Sequence, residues 1–301
     1  MRTKFDLSPE EQALLPGQGD VDFYRAHGWY LSKQVFSRAE LTELRAAAEH
    51  FYQHGPDQAL PHHPERLAYW RREHGEVHRH NDYIAFENRV IGHALSRPII
   101  GAIAAQLAET EAIRLFQSTL ISKPAIADEP TNLVPWHFDK HYWATCSSSK
   151  MLTAFIPLQD CTVENGTITM VDGSHLWQEL PSSSNVHSHF AERDPAELED
   201  LLQKNAAHNS ARVNKVPVDI PAGHISFHHC RIYHGSGANL SSSPRQAISL
   251  HLQPADNHWR AFRDSAGKLQ SYNHDTLVRK TSTGTPDYAD PNYCPTIWAT
   301  R

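Results

Sequence analysis

The densest group of potentially chemical side chains is the stretch WHFDKHYW (residues 136–143), with two histidines and an aspartate within five residues. In an extended chain, His137 and Asp139 project to the same side, as two ligands of one metal ion must. Phe138 between them then faces away. A helix would instead align His137 with His141, as in the HxxxH half of a zinc site. That motif requires a glutamate after the first histidine, and the neighbouring proline and aromatic residues disfavour a helix, so the extended interpretation is favoured.

Two ligands do not hold a metal ion, and the segment HISFHHCRIYHGSGANLSSSPRQAISLHLQP (residues 224–254) supplies a candidate for the third. It predicts a strand that ends near His234, a turn of Gly, Ser, Asn and Pro, and a returning strand from Arg245 with alternating apolar residues. His234 and Arg245 are therefore predicted to be neighbours across an antiparallel hairpin. A histidine beside a permanent cation is an unusual choice for core packing. It is a good choice for a metal site in which a carboxylate ligand of the metal must be bound, because guanidinium offers a forked and permanently charged partner.

His137, Asp139 and His234 together match the facial triad of non-haem Fe(II) oxygenases, which leaves three coordination positions open. A 2-oxo acid can occupy two of these positions and O2 the third. Arg245 would then bind the distal carboxylate of the 2-oxo acid, with the Ser236 hydroxyl beside it. The sequence thus predicts an iron site with an organic co-substrate.

Three motifs in a fixed order resemble the phytanoyl-CoA dioxygenase family of Fe(II)/2-oxoglutarate-dependent oxygenases. They are HxD (residues 137–139), NG-x6-GSH (165–175) and H-x-S-x-x-N-x5-R (234–245). The likeness covers most of residues 20–255 and includes the strand LISKP. The resemblance implies Fe(II), 2-oxoglutarate and O2 as cofactor and co-substrates, with succinate and CO2 as co-products. It also implies oxidation of a small molecule, with hydroxylation as the simplest outcome.

Carried over residue by residue, the resemblance assigns the triad to iron, and Arg245 and Ser236 to the carboxylate of 2-oxoglutarate. Thr119 falls where family members contact the co-substrate, and Gln117 shares its face of the strand. Asp172 departs from the proline that many members have before GSH, and the resemblance implies that this loop is structural.

A substrate pocket is expected beside the iron, with Trp143, Phe138, Tyr83 and His141 as candidate lining residues. Trp143 matches an aromatic residue near the iron in some family members. Loop aromatics are equally suited to anchoring the chain. Five further histidines could contact the metal ligands or the substrate, but histidines at such positions are more commonly ordinary surface or core residues. They are His141, His224, His228, His229 and His251.

The hydrophobic pattern predicts an α+β scaffold for these residues. Capping signatures at Ser8 and Ser37 and an apolar face after Pro98 predict helices in the first third of the chain. Residues 55–82 form an irregular excursion that could act as a lid. Short β-rich runs then follow, which favours an antiparallel double-sheet roll. The family resemblance implies the same fold, a double-stranded β-helix (a cupin-like jelly roll) supported by N-terminal helices.

No internal repeat or linker divides the chain, so residues 1–301 are predicted to form a single oxygenase domain. Its predicted parts are a helical N-terminal part (about 1–112), a jelly-roll core (about 113–255) with a helical insertion (about 179–211), and a C-terminal covering segment (256–301).

Composition limits the partners. The chain has 301 residues, a net charge of −6 and 40% hydrophobic residues, which argues against a general nucleic-acid binder. We find neither a signal peptide nor an apolar run of membrane-spanning length, and the four separated cysteines suggest reduced thiols. We therefore predict a cytoplasmic monomer or homodimer that acts on a small molecule, with no nucleic-acid or membrane partner.

Other outcomes remain open from the sequence. The same cofactors support desaturation, oxidative cyclisation, epimerisation and endoperoxidation, whereas halogenases of the family have a small residue in place of Asp139. From another class, a zinc-dependent hydrolase could use the same three ligands with a bound water, although it has no use for Arg245. An inactive binding protein on the same fold is the third alternative.

Overall fold

A computed structural model of the chain describes residues 5–64, 67–125, 133–180, 194–264 and 266–300. Its α-helices are α1 (Pro9–Gln12), α2 (Gln18–His27), α3 (Arg38–His54), α4 (Ile84–Glu87), α5 (Arg89–Leu95), α6 (Pro98–Leu107), α7 (Pro195–His208) and α8 (His274–Leu277). Its strands are β1 (Trp29–Leu31), β2 (Arg79–Asp82), β3 (Ala112–Lys123), β4 (Val134–His137), β5 (Leu152–Pro157), β6 (Ile168–Val171), β7 (Lys215–Pro217), β8 (Ser226–His229), β9 (His234–Ser236), β10 (Arg245–Pro254) and β11 (Thr296–Ala299).

The N-terminal helices begin where the capping signatures predict. Ser8 caps α1 and Ser37 caps α3, and each exchanges hydrogen bonds with the glutamate three residues later. The apolar face of α3 is buried, and α6 is buried on nearly all sides against β3 and β11. The predicted helical N-terminal layer is confirmed.

Two antiparallel sheets form the core. The large sheet has the order β1-β8-β5-β10-β3-β11, with β2 also paired to β3, and the small sheet has the order β4-β9-β6-β7. Strands distant in the chain lie side by side in both sheets, as in a roll. The predicted α+β double-sheet roll is confirmed.

The predicted hairpin between His234 and Arg245 is wrong. β9, which begins at His234, pairs with β4 and β6 in the small sheet, whereas β10, which begins at Arg245, pairs with β3 and β5 in the large sheet. The connection between them crosses from one sheet to the other. Asn239 holds this crossing, because its side-chain amide donates to the carbonyls of Lys123 (3.2 Å) and Ser243 (2.8 Å). Alternation of apolar residues gives the face of a strand but not the sheet to which it belongs.

The segment 55–82, expected to be irregular, contains strand β2, which pairs with β3. Its sequence RHND lacks apolar residues and therefore hides the strand. The Arg79 guanidinium lies 4.1 Å from the centre of the Trp70 ring and 5.1 Å from that of Tyr52, which ties this segment to α3.

The later segments are only partly regular. Helix α7 lies within the predicted insertion at 179–211, although residues 181–193 are outside the described residues. Near the C-terminus of the described chain, strand β11 pairs with β3. No single helix in the described ranges is long and apolar enough to span a membrane. One bent pair, α5 with α6, passes that test jointly by length and composition.

Candidate metal and co-substrate site

Polar residues line the inner face of the large sheet in two adjacent rows. Neighbouring strands β8, β5, β10 and β3 place four of them side by side: His228, Thr153, His251 and Gln117. The next row includes Ser249, Thr119 and Asp82, with the apolar Phe155 paired to Ser249 at its end. Each row follows from the two-residue period of the strands, which points alternate side chains to the same face.

The three candidate metal ligands lie at strand ends of the small sheet, facing these rows. His137 ends β4, His234 begins β9, and the two are paired across the ladder. Asp139 follows Phe138, whose backbone is still extended, and begins a single 3₁₀ turn. One ligand atom from each residue lies within 4.8 Å of the others, which is compact enough for one metal ion.

Both histidine rings are oriented by backbone carbonyls. His137 Nδ1 lies 2.8 Å from the Pro135 carbonyl oxygen, and His234 Nδ1 lies 3.1 Å from that of Ile232. An Nδ1–H that donates to a carbonyl leaves the Nε2 lone pair for a metal ion. The local backbone thus sets the tautomer that a metal ligand needs.

The protonation states also suit metal binding. Burial, reinforced by the neighbouring His137, lowers the pKa of His234 well below its usual range. Burial alone would raise the pKa of Asp139, but the surrounding imidazoles outweigh it and hold that pKa well below its usual range. At neutral pH the site therefore presents a carboxylate and neutral imidazole, which are the states that bind metals.

Arg245 supplies a buried positive charge in the same cavity. Its Nη2 donates to the Gly166 carbonyl (3.1 Å), and the guanidinium carbon lies 5.5 Å from the centre of the Phe155 ring. Its Nε and Nη1 have no hydrogen-bond partner among the described residues, although the side chain is only 2% exposed. A buried guanidinium with unused donors fits an incoming carboxylate.

Ser236 and Lys123 lie behind this guanidinium. Lys123, fully buried at the end of β3, donates from Nζ to Ser236 Oγ and to the Gly237 carbonyl, each at 2.6 Å. Burial and the nearby charge of Arg245 lower the pKa of Lys123 to about 6. Because Lys123 donates to the hydroxyl oxygen, the Ser236 proton is left for another acceptor.

Residues of the NG and GSH motifs lie beside Arg245 and His234 and support their positions. Gly166 has φ of +74°, and a Cβ there would lie 2.6 Å from the Gly237 carbonyl oxygen, so glycine is required beside Arg245. In the GSH motif, Ser174 Oγ accepts the backbone N–H of Tyr233 (2.8 Å), directly before His234. Asp172 accepts from the Trp29 indole (2.9 Å) and therefore joins the same loop to β1.

A cavity of about 860 Å³ joins the metal ligands to Arg245. Its wall also includes loop residues 67–68, His78 and His80 on one side and residues 270–273 of the C-terminal segment on another. The Tyr272 hydroxyl donates a short hydrogen bond to Gln117 Oε1. The space is sufficient for a 2-oxo acid and a second organic molecule.

The donor set fits Fe(II) with 2-oxoglutarate. Two imidazoles and one carboxylate leave positions open for a chelating acid, and the unused donors of Arg245 lie in the same cavity, where they can bind its distal carboxylate. The sequence of the phytanoyl-CoA dioxygenase (PhyH) family matches residues 24–247 of the 301. The chain belongs to this family.

Named relatives are about a quarter identical to this family member over the residues that match. Human peroxisomal phytanoyl-CoA dioxygenase is 27% identical over 147 residues, which cover 49% of this chain and 41% of the human enzyme. The match thus spans less than half of that relative's length. Ectoine dioxygenase from Bordetella bronchiseptica is 22% identical over 249 residues, covering 79% of this chain and 75% of that enzyme.

Solved structures share the fold. The 2-oxoglutarate-dependent carbocyclase SnoK from nogalamycin biosynthesis is 26% identical, with a TM-score of 0.60 over 81% of this chain and 87% of SnoK. The epimerase SnoN, solved with Fe³⁺, 2-oxoglutarate and a nogalamycin compound, is 24% identical, with a TM-score of 0.65 over 93% and 98% of the chains. The predicted membership of the PhyH family is confirmed.

Most residues predicted from the motifs of the family meet in this cavity. The triad, Arg245 and Ser236 all line it. Thr119 and Gln117 also line it, and the Thr119 hydroxyl donates to Asp82 (2.7 Å). Trp143 and His141 lie in the wall, with Trp143 in edge contact with His251 at 4.8 Å.

Two predicted pocket residues lie outside the cavity wall. Phe138 faces away from its ligand neighbours and packs on Tyr233, as the strand period requires. Tyr83 is fully buried behind β3, stacked on His274. His80 and Asp82, at alternate positions of β2, line the cavity, so the next residue, Tyr83, lies on the other side of the strand.

Several cavity residues were not singled out from the sequence. Lys123 stands in the quoted strand LISKP without a predicted role, and Thr153 and Asp82 were not considered. His228 and His251 were expected to be ordinary histidines, yet both lie beside Asp139. Polar residues at every second position of otherwise apolar strands were the available signal, as in Arg245, Ser249 and His251 of β10.

Proposed function

We propose that this protein is an Fe(II)- and 2-oxoglutarate-dependent dioxygenase that hydroxylates a small organic molecule. The observation that carries the proposal is a two-histidine, one-carboxylate triad in the same cavity as a buried guanidinium with two unused donors. Relatives named as 2-oxoglutarate-dependent or as dioxygenases support the same chemistry. A zinc hydrolase would need the triad but not Arg245.

Each residue has a defined task in this proposal. His137, Asp139 and His234 hold Fe(II), which together with 2-oxoglutarate supplies O2 activation coupled to loss of CO2 and formation of succinate. Arg245 and Ser236 bind the distal carboxylate of 2-oxoglutarate and orient it. The buried wall excludes water from the reacting centre. The intact Asp139 leaves no ligand position for a halide.

The substrate is proposed to be a small metabolite of specialised biosynthesis. SnoK and SnoN act in nogalamycin biosynthesis, and ectoine dioxygenase is a further relative, which supports a small organic substrate. The cavity of about 860 Å³ supports a molecule larger than the co-substrate. Hydroxylation is the proposed outcome, with cyclisation and epimerisation as the alternatives that SnoK and SnoN represent. We further propose a single-domain cytoplasmic monomer or homodimer.

The first test is spectroscopic. Purified protein mixed without O2 with Fe(II) and 2-oxoglutarate should develop the weak visible charge-transfer band of the chelate, and admission of O2 should produce succinate. Protein that is well folded but gives neither the band nor succinate contradicts the proposal. Tight zinc as the sole metal, with hydrolysis of an ester substrate, would favour the hydrolase.

The second test separates the co-substrate site from the metal site. Arg245→Leu should weaken 2-oxoglutarate binding by about 100-fold or more, since it removes two donors and each charge-assisted hydrogen bond contributes about 1.5–3 kcal/mol. Its affinity for Mn(II) should stay within about twofold of the wild type. Arg45→Leu makes the same change at an exposed position on α3 and serves as the control. Unchanged 2-oxoglutarate affinity in Arg245→Leu contradicts the assignment.

A further inference from the structure

The two carboxylate oxygens of Asp139 have different surroundings. Oδ2 accepts a hydrogen bond from the Thr153 hydroxyl at 2.6 Å and lies 3.3 Å from His228 Nε2. Oδ1 lies 3.7 Å from His234 Nε2, on the side where the ligand atoms of the triad converge. One oxygen is thus held by the large sheet, and the other faces the metal position.

The Thr153 hydroxyl has a second hydrogen-bond partner, His251. Its Oγ1 lies 2.9 Å from His251 Nδ1. A hydroxyl has one proton, and Thr153 gives that proton to the carboxylate, so His251 must donate from Nδ1. The hydrogen bonds therefore run in one direction, from His251 to Thr153 to Asp139.

The backbone fixes the geometry of this relay, by which we mean the two successive hydrogen bonds from His251 to Thr153 and from Thr153 to Asp139. Thr153 in β5 and His251 in β10 are directly paired across the ladder, and both are inner-face residues. Thr153 is 1% exposed, and its β-branched side chain has few rotamers on a strand. Asp139, by contrast, follows β4 of the small sheet. The relay therefore connects the rigid large sheet to a ligand carried by the other sheet.

We propose that Thr153, oriented by His251, is a positioning residue that makes Asp139 a one-oxygen ligand. With Oδ2 engaged, only Oδ1 is available to the metal, and the position that a chelating carboxylate would occupy stays open for 2-oxoglutarate or O2. The inference rests on the proposed function, because it concerns the same metal site. Neither Thr153 nor His251 needs to touch the metal.

Removal of the hydroxyl should loosen Asp139 Oδ2, which then keeps only the more distant His228 Nε2 at 3.3 Å. In Thr153→Val the side chain keeps its shape but donates no hydrogen bond, so the carboxylate can rotate or bind the metal with both oxygens. Partners of metal ligands of this kind contribute about 10–100-fold to metal affinity. We expect Mn(II), used alone as a redox-stable probe, to bind Thr153→Val about 10–100-fold more weakly. Thr153→Ser should restore the affinity.

Thr167→Val is the matched control. Thr167 is as buried as Thr153, and its hydroxyl donates to the Val218 carbonyl at 2.5 Å, away from the triad. The control thus removes one buried hydroxyl without touching the relay. It should lose stability by a similar amount and keep the Mn(II) affinity of the wild type.

A spectrum distinguishes positioning from a general loss of structure. The visible absorption of bound Co(II) depends on coordination number and geometry, so it should change in Thr153→Val and return in Thr153→Ser. In Thr167→Val it should match that of the wild type. A Thr153→Val spectrum identical to that of the wild type would overturn the proposal.

His251→Leu tests the relay without altering Thr153, so the proposal stays testable even where Thr153→Val does not fold. It should weaken Mn(II) binding by about 3–10-fold, which is less than the roughly 10–100-fold of a direct partner of a metal ligand, because His251 acts through Thr153. Because the two residues act in series, the double variant should bind no more weakly than Thr153→Val alone. Additive effects, or a single-variant affinity within twofold of the wild type, would overturn the relay. Wild-type protein without Mn(II) binding or succinate formation would instead refute the proposed function.

Discussion

Lys123 and Ser236 join the two sheets behind Arg245, through a hydrogen bond from Lys123 Nζ to Ser236 Oγ of 2.6 Å. Lys123 ends β3 of the large sheet, opposite Arg245 in the ladder, and Ser236 ends β9 of the small sheet. Two basic side chains are thus buried side by side. Such a pair is unfavourable unless an anion binds near it, which agrees with a carboxylate site.

Lys123→Met should weaken 2-oxoglutarate binding by about 5-fold, because the Ser236 hydroxyl loses the donor that fixes its orientation, and one such hydrogen bond contributes about 1 kcal/mol. Without Lys123, the Ser236 hydroxyl is free to turn toward the backbone and no longer presents its proton to the co-substrate. Calorimetric titration of Mn(II)-loaded protein with 2-oxoglutarate measures this effect. Lys150→Met, at an exposed position, is the control. Equal weakening of Mn(II) and 2-oxoglutarate would show that the variant disturbs the whole site.

The ordered motifs predicted the triad and the carboxylate site because their spacing reflects strand geometry. His137 and Asp139 share a face through the two-residue period, and the backbone is extended through Phe138 as that prediction requires. The third ligand and Arg245 were found from a strand and turn pattern. The two-residue period of a strand determines which side chains point into the roll, and the metal site requires only that its three ligands do so.

The features that were not predicted depend on which strands pair with each other, and a single sequence does not give that information. His234 and Arg245 were predicted to be hairpin neighbours, but residues 237–244 carry the chain from one sheet to the other. The role of Lys123 arises only once β3 and β10 are in register. Tyr83 was misplaced because the polar sequence of β2 hides the strand whose period turns this side chain away from the cavity.

Gly166→Ala should destabilise the protein and weaken 2-oxoglutarate binding together. Gly166 has φ of +74°, and a Cβ would lie 2.6 Å from the Gly237 carbonyl oxygen, so the loop must move. That movement shifts the Gly166 carbonyl, which accepts from Arg245. We expect a loss of about 1–3 kcal/mol in the free energy of unfolding, measured with urea.

Gly284→Ala separates backbone strain from the contact. Gly284 has φ of +81°, and its Cβ would meet nothing within 4 Å. In this control the free energy of unfolding should fall by about 1 kcal/mol through backbone strain alone, and the affinity for 2-oxoglutarate should not change. If both variants bind 2-oxoglutarate equally well, the Gly166 loop does not position Arg245.

Asp82→Asn should change how stability depends on pH. Burial raises the pKa of Asp82 to about 6 despite hydrogen bonds from Thr119 and the backbone N–H of Ala68. The folded state therefore holds a proton that the unfolded state loses near its ordinary pKa of 3.8. Wild-type stability falls as pH rises through the window from about 4 to 6, by up to about 3 kcal/mol, and then levels off.

In metal-free protein, the difference in unfolding free energy between Asp82→Asn and the wild type should therefore shift in favour of the variant between pH 4.5 and 7. Urea unfolding at several pH values measures it. Asp256→Asn, at an exposed position, should show no such trend. If the unfolding free energies of wild type and Asp82→Asn change with pH in parallel, burial does not raise the pKa of Asp82.

Tyr272→Phe should loosen the C-terminal segment over the cavity. The Tyr272 hydroxyl donates to Gln117 Oε1, and its ring stacks on Phe116 with 5.7 Å between centroids. Phenylalanine keeps the stacking on Phe116, but Gln117 Oε1 loses its hydrogen-bond donor. The segment should therefore be less stable by about 1 kcal/mol. Hydrogen exchange of residues 266–280 should become faster. Tyr293→Phe, whose hydroxyl makes no hydrogen bond to the described residues, should leave exchange unchanged. Identical exchange in both variants would mean that Gln117 does not anchor the segment.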